Sequence, residues 1–498
     1  MGGHQNAKST NFSGLARPWL IGLLAFVVAG AIHLLNHHYL LQENPDSLRE
    51  GISVITSDDA SYIRPALNVL EIGEWKDNSI GRVAYVLRSP GYGMIAAVFF
   101  SLFGYEIGLF ALLFFQLALW SLAVSVLPFL GTVLGFKRKH AYVIASFVAM
   151  MPMFSGFLSY TLTEGVTPSL VILFYASLFY GIKSNRKFIL VSSLLLGFLL
   201  IVRPALLVLV LSYLPHFRTS FRQILSALII ALMPLLIWQL RVQRITGDFD
   251  LHPIYQSDAA DLYRPLHGSI WDFHKMTGQT GAEFHSAMNE LWLAARDETS
   301  KIAAAQNVVS SFDPTVLESI DEAELKEFYS NYVDILQSQQ PYFDSQTPIM
   351  ETLSGEDSLI VQVRKFKSQY VLDNLFRANI LVPFEVLKEA TIHSNLSLYI
   401  FQKPLRGNFF IEFLRWLSLI THVLIFVLAS FGIIVFSSKW SYSLLLPGVL
   451  FLLYLIFVQR GIEERYMLPF LVPFLLGAIS TIKVLRLSIL NSFVKSVQ

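Results

Sequence analysis

The chain has 498 residues, of which 54% are hydrophobic and only 15% charged, where a soluble domain carries about 25% charge. That balance excludes a globular surface of ordinary polarity, a disordered chain, a collagen and a coiled coil, and makes a bilayer the natural solvent. The 37 basic and 36 acidic residues leave a net charge of +1, so no bulk field points to nucleic acid, and the lack of cysteine removes disulfides, thiol nucleophiles and Cys-ligated metals.

A spanning helix needs about 20 mostly apolar residues. The first such run is 18–36. No small-residue cleavage site follows it, so it reads as a span and not as a signal peptide. Next comes a polar loop, 37–104, containing Ser57-Asp58-Asp59-Ala60-Ser61-Tyr62-Ile63-Arg64-Pro65. A carboxylate held near a bilayer can take a proton from an alcohol, worth about 10²–10⁴ in rate. The same residues also read as a helix N-cap. Arg88-Ser89-Pro90-Gly91-Tyr92 follows; Arg88 offers a permanently charged fork suited to phosphate, or a snorkelling interfacial cation. Residues 91–103 are apolar for too few residues to span and suit an interfacial helix.

Further spans are expected at 106–135, 140–161, 165–182, 187–203, 204–216 and 222–240. Glu164 stands at the junction of the third and fourth, where a solvated turn residue is the plain alternative. Arg203-Pro204 closes the fifth, and 204–216 is short enough to be kinked or partly re-entrant. The polar stretch 241–410 is too long for a simple connection and carries amphipathic helical patterns such as 322–336. It reads as a small, mostly helical cap. Spans at 411–437, 440–458 and 465–483 complete the chain, the last opened by Glu463-Glu464-Arg465-Tyr466. The Tyr at such a boundary is otherwise an aromatic-belt residue.

Lysine and arginine set the orientation. Lys8 and Arg17, Lys137-Arg138-Lys139, Lys183 with Arg186 and Lys187, Arg218 with Arg222, Lys439, and Lys483 with Arg486 and Lys495 all fall on one side if ten spans alternate. That side is the cytoplasm, so both termini are expected there. The same topology places Asp58, Asp59, Arg88, Glu164, Arg203 and Arg465 together at the outer membrane boundary. Carboxylates and arginines at headgroup depth suit a phosphorylated lipid plus an alcohol.

These motifs resemble the GT-C superfamily of integral-membrane glycosyltransferases, within it the group of protein O-mannosyltransferases, aminoarabinose transferases and lipid A or core galacturonosyltransferases. The resemblance rests on Asp58-Asp59 with Tyr62, on Arg88-Ser89-Pro90-Gly91-Tyr92, on Thr163-Glu164 and on Arg203-Pro204. It rests also on Arg244-Ile245-Thr246-Gly247-Asp248-Phe249 and on Glu464-Arg465-Tyr466-Met467-Leu468-Pro469. It covers 18–250 and 459–475 but not 250–410, and the second acid is Asp59 where the family more often has Glu.

The resemblance implies an all-α polytopic fold of about ten spans, with interfacial helices in the first outer loop and a mostly helical outer cap. It implies a catalytic module in 1–240, a soluble cap in 241–410 and C-terminal spans in 411–498. Asp58 would be the general base and Asp59 its support. Arg88 would bind donor phosphate, with Arg465 as a further contact; Tyr62, Tyr92, Glu164, Arg203 and Tyr466 would line the substrate cavity. The donor would be a sugar on undecaprenyl or dolichyl phosphate, and the acceptor a glycolipid, polysaccharide or protein hydroxyl. No cofactor is implied, a divalent metal is not favoured, and the bacterial plasma membrane is the favoured location. A transporter or flippase for a lipid-linked anion is the rival reading; transporters keep charges at the midplane between related halves. The partial echo at Ser257–Pro265, the scattered histidines and the Asn395-Leu396-Ser397 sequon carry no chemistry in this reading.

Overall fold

The computed structural model describes residues 16–497 except 57, 79–84, 86–87, 220, 247–263, 297–299, 346–348, 350–351, 393–405, 436–438, 462 and 464. Gly247–Phe249, most of the 257–265 echo, the sequon, Glu464 and Lys8 therefore lie outside the described residues.

The chain is almost wholly helical. α1 (Ala16–Glu43) leads to a two-stranded hairpin, β1 (Leu48–Arg49) against β2 (Ser53–Val54). The turn is made by Glu50 at φ 49° and Gly51 at φ 65°. The first loop then forms two helices, α2 (Asp59–Ile72) and α3 (Pro90–Phe103), before α4 (Tyr105–Val133). α5 (Arg138–Met150) and α6 (Pro152–Ser155) follow, then α7 (Thr167–Lys183), α8 (Lys187–Val202), a 3₁₀ segment Pro204–Thr219, and α9 (Phe221–Thr246).

A separate apolar cluster organises α10 (Pro265–Thr277), α11 (Gly281–Arg296), α12 (Lys301–Ser310), α13 (Pro314–Ser319), α14 (Glu322–Asp344) and α15 (Glu356–Asp373), whereas Val386 and Ala390 of α16 (Val382–Thr391) join the main apolar core. Phe273, Leu291, Phe328 and Phe366 lie at the centre of the separate cluster, each fully buried. Arg264 fastens the start of α10 to the start of α15, its guanidinium donating to both oxygens of Glu356 at 2.6 and 2.5 Å. α17 (Phe409–Val435), α18 (Lys439–Tyr454) and α19 (Leu468–Val497) complete the chain.

Among the described residues five helices are long and apolar enough to cross a membrane, within α1, α4, α9, α17 and α18–Gln459, or six if the bent pair α5–α6 is one span. Their outward faces carry bare Leu23, Val27, Phe110, Phe114, Ile237, Phe413 and Val427. Water would not tolerate so large an apolar surface, whereas lipid does. The chain is an integral membrane protein. A count of ten would require the bent pair α5–α6 and the shorter apolar α7, α8, 3₁₀ segment and α19 to cross as well.

The expected span 140–161 is not one straight rod: it bends by 70° between Met150 and Pro152. Pro152 disfavours helical backbone at the preceding residue, and Met151 sits at φ −87°, ψ 120°. The short run 204–216 is a 3₁₀ helix and not a kinked α-helix. Two glycines let the first-loop helices approach the bundle. A Cβ on Gly91 would lie 2.6 Å from the Val202 amide nitrogen, and one on Gly93 would meet the Trp75 indole and the Tyr62 carbonyl. Pro90-Gly91 thus sets α3 flush against the end of α8, with Arg88 just before one and Arg203 just after the other.

Candidate functional site

Five charged residues stand at helix ends that converge: Asp58 before α2, Arg88 before α3, Glu164 before α7, Arg203 after α8 and Arg465 before α19. Asp58 holds the N-cap position of α2 but makes no side-chain cap hydrogen bond. The Thr56 hydroxyl takes the Asp59 amide hydrogen at 3.2 Å instead. Asp58 is thereby released from capping. Its Oδ1 accepts from Arg88 at 2.6 Å and its Oδ2 from Arg465 at 2.7 Å, so both carboxylate oxygens are claimed by guanidinium groups from opposite ends of the chain.

The same side chains extend the network. Arg88 also donates to Ser61 Oγ at 2.9 Å and lies over the Tyr62 ring at 4.9 Å. Tyr62 meets Tyr92 edge to face at 5.9 Å. The Tyr92 hydroxyl donates to Gln116 at 2.9 Å, and Gln116 donates in turn to the Leu158 carbonyl at 2.8 Å. Arg465 donates to Glu463 at 2.6 Å, as does the Tyr466 hydroxyl at 2.9 Å. Arg203 lies over the Tyr466 ring at 5.3 Å and donates to Glu164 at 2.6 Å. Neither Glu164 nor Arg203 is a solvated or snorkelling residue; Glu164 is only 4% exposed.

Asp59 faces the other way. It is 1% exposed, receives a two-pronged contact from Arg49 at 2.9 Å on each oxygen, and accepts from Thr161 at 3.1 Å. Its charge is fully consumed in tying the hairpin and the α6–α7 connection to α2. The pair Asp58-Asp59 thus divides into one oxygen pair held by Arg88 and Arg465 and one held by Arg49 and Thr161.

All nine residues singled out from the sequence (Asp58, Asp59, Tyr62, Arg88, Tyr92, Glu164, Arg203, Arg465 and Tyr466) fall in one neighbourhood. Sequence reasoning missed Arg49, Gln116 and Thr161, and named Glu463 only as part of the run that opens the last span. Gln116 did leave a trace: it is a lone amide in the apolar run of α4. Among the described residues no group of three or more His, Asp or Glu could hold a metal ion.

The electrostatics of Asp58 are a contest. Burial raises its pKa, but Arg88 and then Arg465 outweigh burial and hold the carboxyl below its usual range. The stabilisation from these ion pairs is complete above the ordinary carboxylate value of about 4 and disappears as pH falls through the depressed value. Detergent-solubilised wild type is therefore expected to melt above Asp58→Asn at pH 7, with the gap closing below about pH 4. A gap independent of pH would mean that the ion pairs contribute nothing. At Glu164 burial is likewise overcome, first by Arg203 and then by Arg465, and the carboxyl stays below its usual range. Removing one partner of such a buried pair costs about 3–5 kcal/mol. Glu164→Ala is expected to lower the melting temperature sharply, and Glu164→Ala/Arg203→Met to recover much of the loss. Additive losses in the double variant would refute the pairing.

No protein-family model matches this chain, and no curated protein matches it. Among solved structures it is similar to the Archaeoglobus fulgidus oligosaccharyltransferase complexed with Zn and sulfate, at TM-score 0.45 and 11% identity, over 93% of this chain and 49% of that one. The chain thus spans about half the length of that enzyme. It is also similar to ArnT from Cupriavidus metallidurans, bound to undecaprenyl phosphate, at TM-score 0.30 and 15% identity over 92% and 77% of the two chains. The apo form of ArnT gives TM-score 0.30 and 13% identity over 91% and 76%. At these TM-scores the likeness assigns no role to any residue, so the functional reading stands on the chain's own side chains.

Proposed function

We propose that this protein is a GT-C-type glycosyltransferase that moves a hexosyl or pentosyl group from a polyprenyl phosphate to an acceptor hydroxyl on the extracytoplasmic face. The observation that carries this reading is Asp58 clasped between Arg88 and Arg465. A carboxylate so neutralised is a weak base, and arginines so occupied are not free for phosphate. The site as it stands is a closed, charge-balanced form.

A donor phosphodiester carries one negative charge, as does Asp58. It can replace the carboxylate on the two guanidinium groups with little net change in charge. Asp58 then loses the partners that depress its pKa, while burial continues to push it up. The uncovered carboxylate accepts the proton of the acceptor hydroxyl. That oxygen attacks the sugar's anomeric carbon as the bond from carbon to phosphate oxygen breaks, inverting the anomeric centre. The leaving phosphate monoester gains a second charge, about −1.5 to −2 in all at pH 7. Two arginines match this charge better than that of the ground state, so they bind the transition state more tightly than the donor. Glu164, Arg203, Tyr62, Tyr92 and Tyr466 would shape the cavity around the exchange, and Asp59 would fix the backbone beneath Asp58. Asp58, Asp59 and Glu164 each already balance an arginine, so the reading invokes no divalent ion.

In this reading residues 1–240 are the catalytic module, 241–410 an outer cap and 411–498 the closing spans, with both termini in the cytoplasm of a bacterial cell. The test is mass spectrometry of surface glycolipids and glycans from cells with wild type, a deletion or Asp58→Asn. One sugar mass is expected to vanish in both altered strains, which would also name the sugar and its acceptor. If only the deletion changes the spectrum, the protein moves or organises a glycolipid and the transfer reading fails.

A further inference from the structure

The connection from α18 to α19 contains a residue that the transfer reading has not used. Arg460 adopts φ 51°, a left-handed conformation without glycine, which costs about 1–3 kcal/mol and persists only where the surroundings enforce it. Its side chain is nearly buried, at 7% exposure. The guanidinium donates to the Phe457 carbonyl at 3.2 Å and to the Ala378 carbonyl. Both acceptors lie in π-helical stretches, Leu455–Gln459 at the end of α18 and Arg377–Leu381 before α16. A π turn displaces carbonyls from the ordinary helical ladder, and one planar fork here satisfies one from each.

The joint sits between the Asp58 network and a cleft in the cap. Five residues onward in the chain, Arg465 clasps Asp58. One residue before Ala378, Arg377 pairs with Asp313 at 2.9 Å and lines a polar cleft of about 470 Å³ in the cap. Gly461 lies beside Trp271 of α10; a Cβ there would be 3.7 Å from the indole. The connection is thus pinned to the cap at its start and delivers its arginine to Asp58 at its end.

We infer that Arg460 is a positioning residue: by bolting the 459–467 connection to the cap it holds Arg465 where it can grip first Asp58 and then the donor phosphate. The inference rests on the transfer reading for the identity of the anion, but not for the bolt itself. Without the guanidinium, no other side-chain ion pair among the described residues holds the strained start of the connection, and Arg465 spends its time elsewhere.

The full-length chain in lipid nanodiscs tests this with two readouts, hydrogen exchange of 459–467 and affinity for undecaprenyl phosphate. Arg460→Ala keeps the backbone strain; Arg460→Gly relieves it. Both are expected to raise exchange of the connection and to weaken phosphate binding by about tenfold to a hundredfold, the loss of one charge-assisted contact. Added to Arg465→Ala, either should cost nothing further, because the two residues act as one unit. Arg460→Lys should recover part of the affinity. Unchanged exchange in both variants overturns the inference. So does raised exchange with unaltered phosphate affinity, or a loss fully additive with that of Arg465→Ala. If wild type itself fails to bind undecaprenyl phosphate, the transfer reading falls, and exchange alone decides the bolt: a rise sustains it and no rise overturns it.

Discussion

Asp58→Asn is expected to abolish sugar transfer while binding the donor at least as tightly as wild type. A general base is worth about 10²–10⁴ in rate, and its loss sets the fall in turnover. The affinity should not fall with it, because in the closed site Asp58 competes with phosphate for Arg88 and Arg465. An uncharged amide competes poorly with an anion for a guanidinium. The variant should therefore trap donor without consuming it. Titration with undecaprenyl phosphate beside a turnover assay separates the two effects. If Asp58→Asn binds phosphate more weakly than wild type, the carboxylate is scaffolding for the arginines and the exchange mechanism is wrong.

Arg88→Ala should damage both steps. Removing one preorganised cationic donor from a developing oxyanion costs about 10²–10³ in rate. Donor affinity should drop as well, since only Arg465 remains to receive the phosphate. Arg88→Lys restores the charge but not the fork, nor the contact with Ser61, and should recover only part of the rate. In Asp58→Asn/Arg88→Ala the losses should not add, because the residues share one interaction. Should Arg88→Ala retain full donor affinity, the phosphate lies elsewhere, with Arg203 the next cation in the network.

The contrast between Asp58 and Asp59 marks how far the sequence could be read. Two adjacent acids beside an apolar span were visible, and so was their place near Arg88. Their opposite directions were not. Which acid faces inward depends on Arg49, ten residues earlier, and on a hairpin whose turn needs a left-handed Glu50. A two-residue strand has no periodicity to detect. Gln116 meets its backbone acceptors 42 and 44 residues away, across a segment bent at Pro152. Such pairings arise from how helices stack, and local composition does not encode them. The five long apolar helices were the more legible part because each needs only its own run of apolar residues. The winding of 204–219 was not legible: an apolar run looks alike whether it coils at 3.0 or 3.6 residues per turn.

That winding alters what the segment can reach. Its 16 residues would make an α-helix of about 24 Å, at 1.5 Å per residue. Wound as 3₁₀ at about 2.0 Å per residue, they extend for about 32 Å, against a hydrocarbon core of about 30 Å. A run that fails a residue count is thus long enough to cross, thinner and more extended than an α-helix of the same residues. It follows Arg203 directly in the chain, so if it crosses the bilayer, tightening or loosening its coil would change the height of that guanidinium above the midplane. Bilayer thickness would then be a variable to which the charge network is mechanically connected.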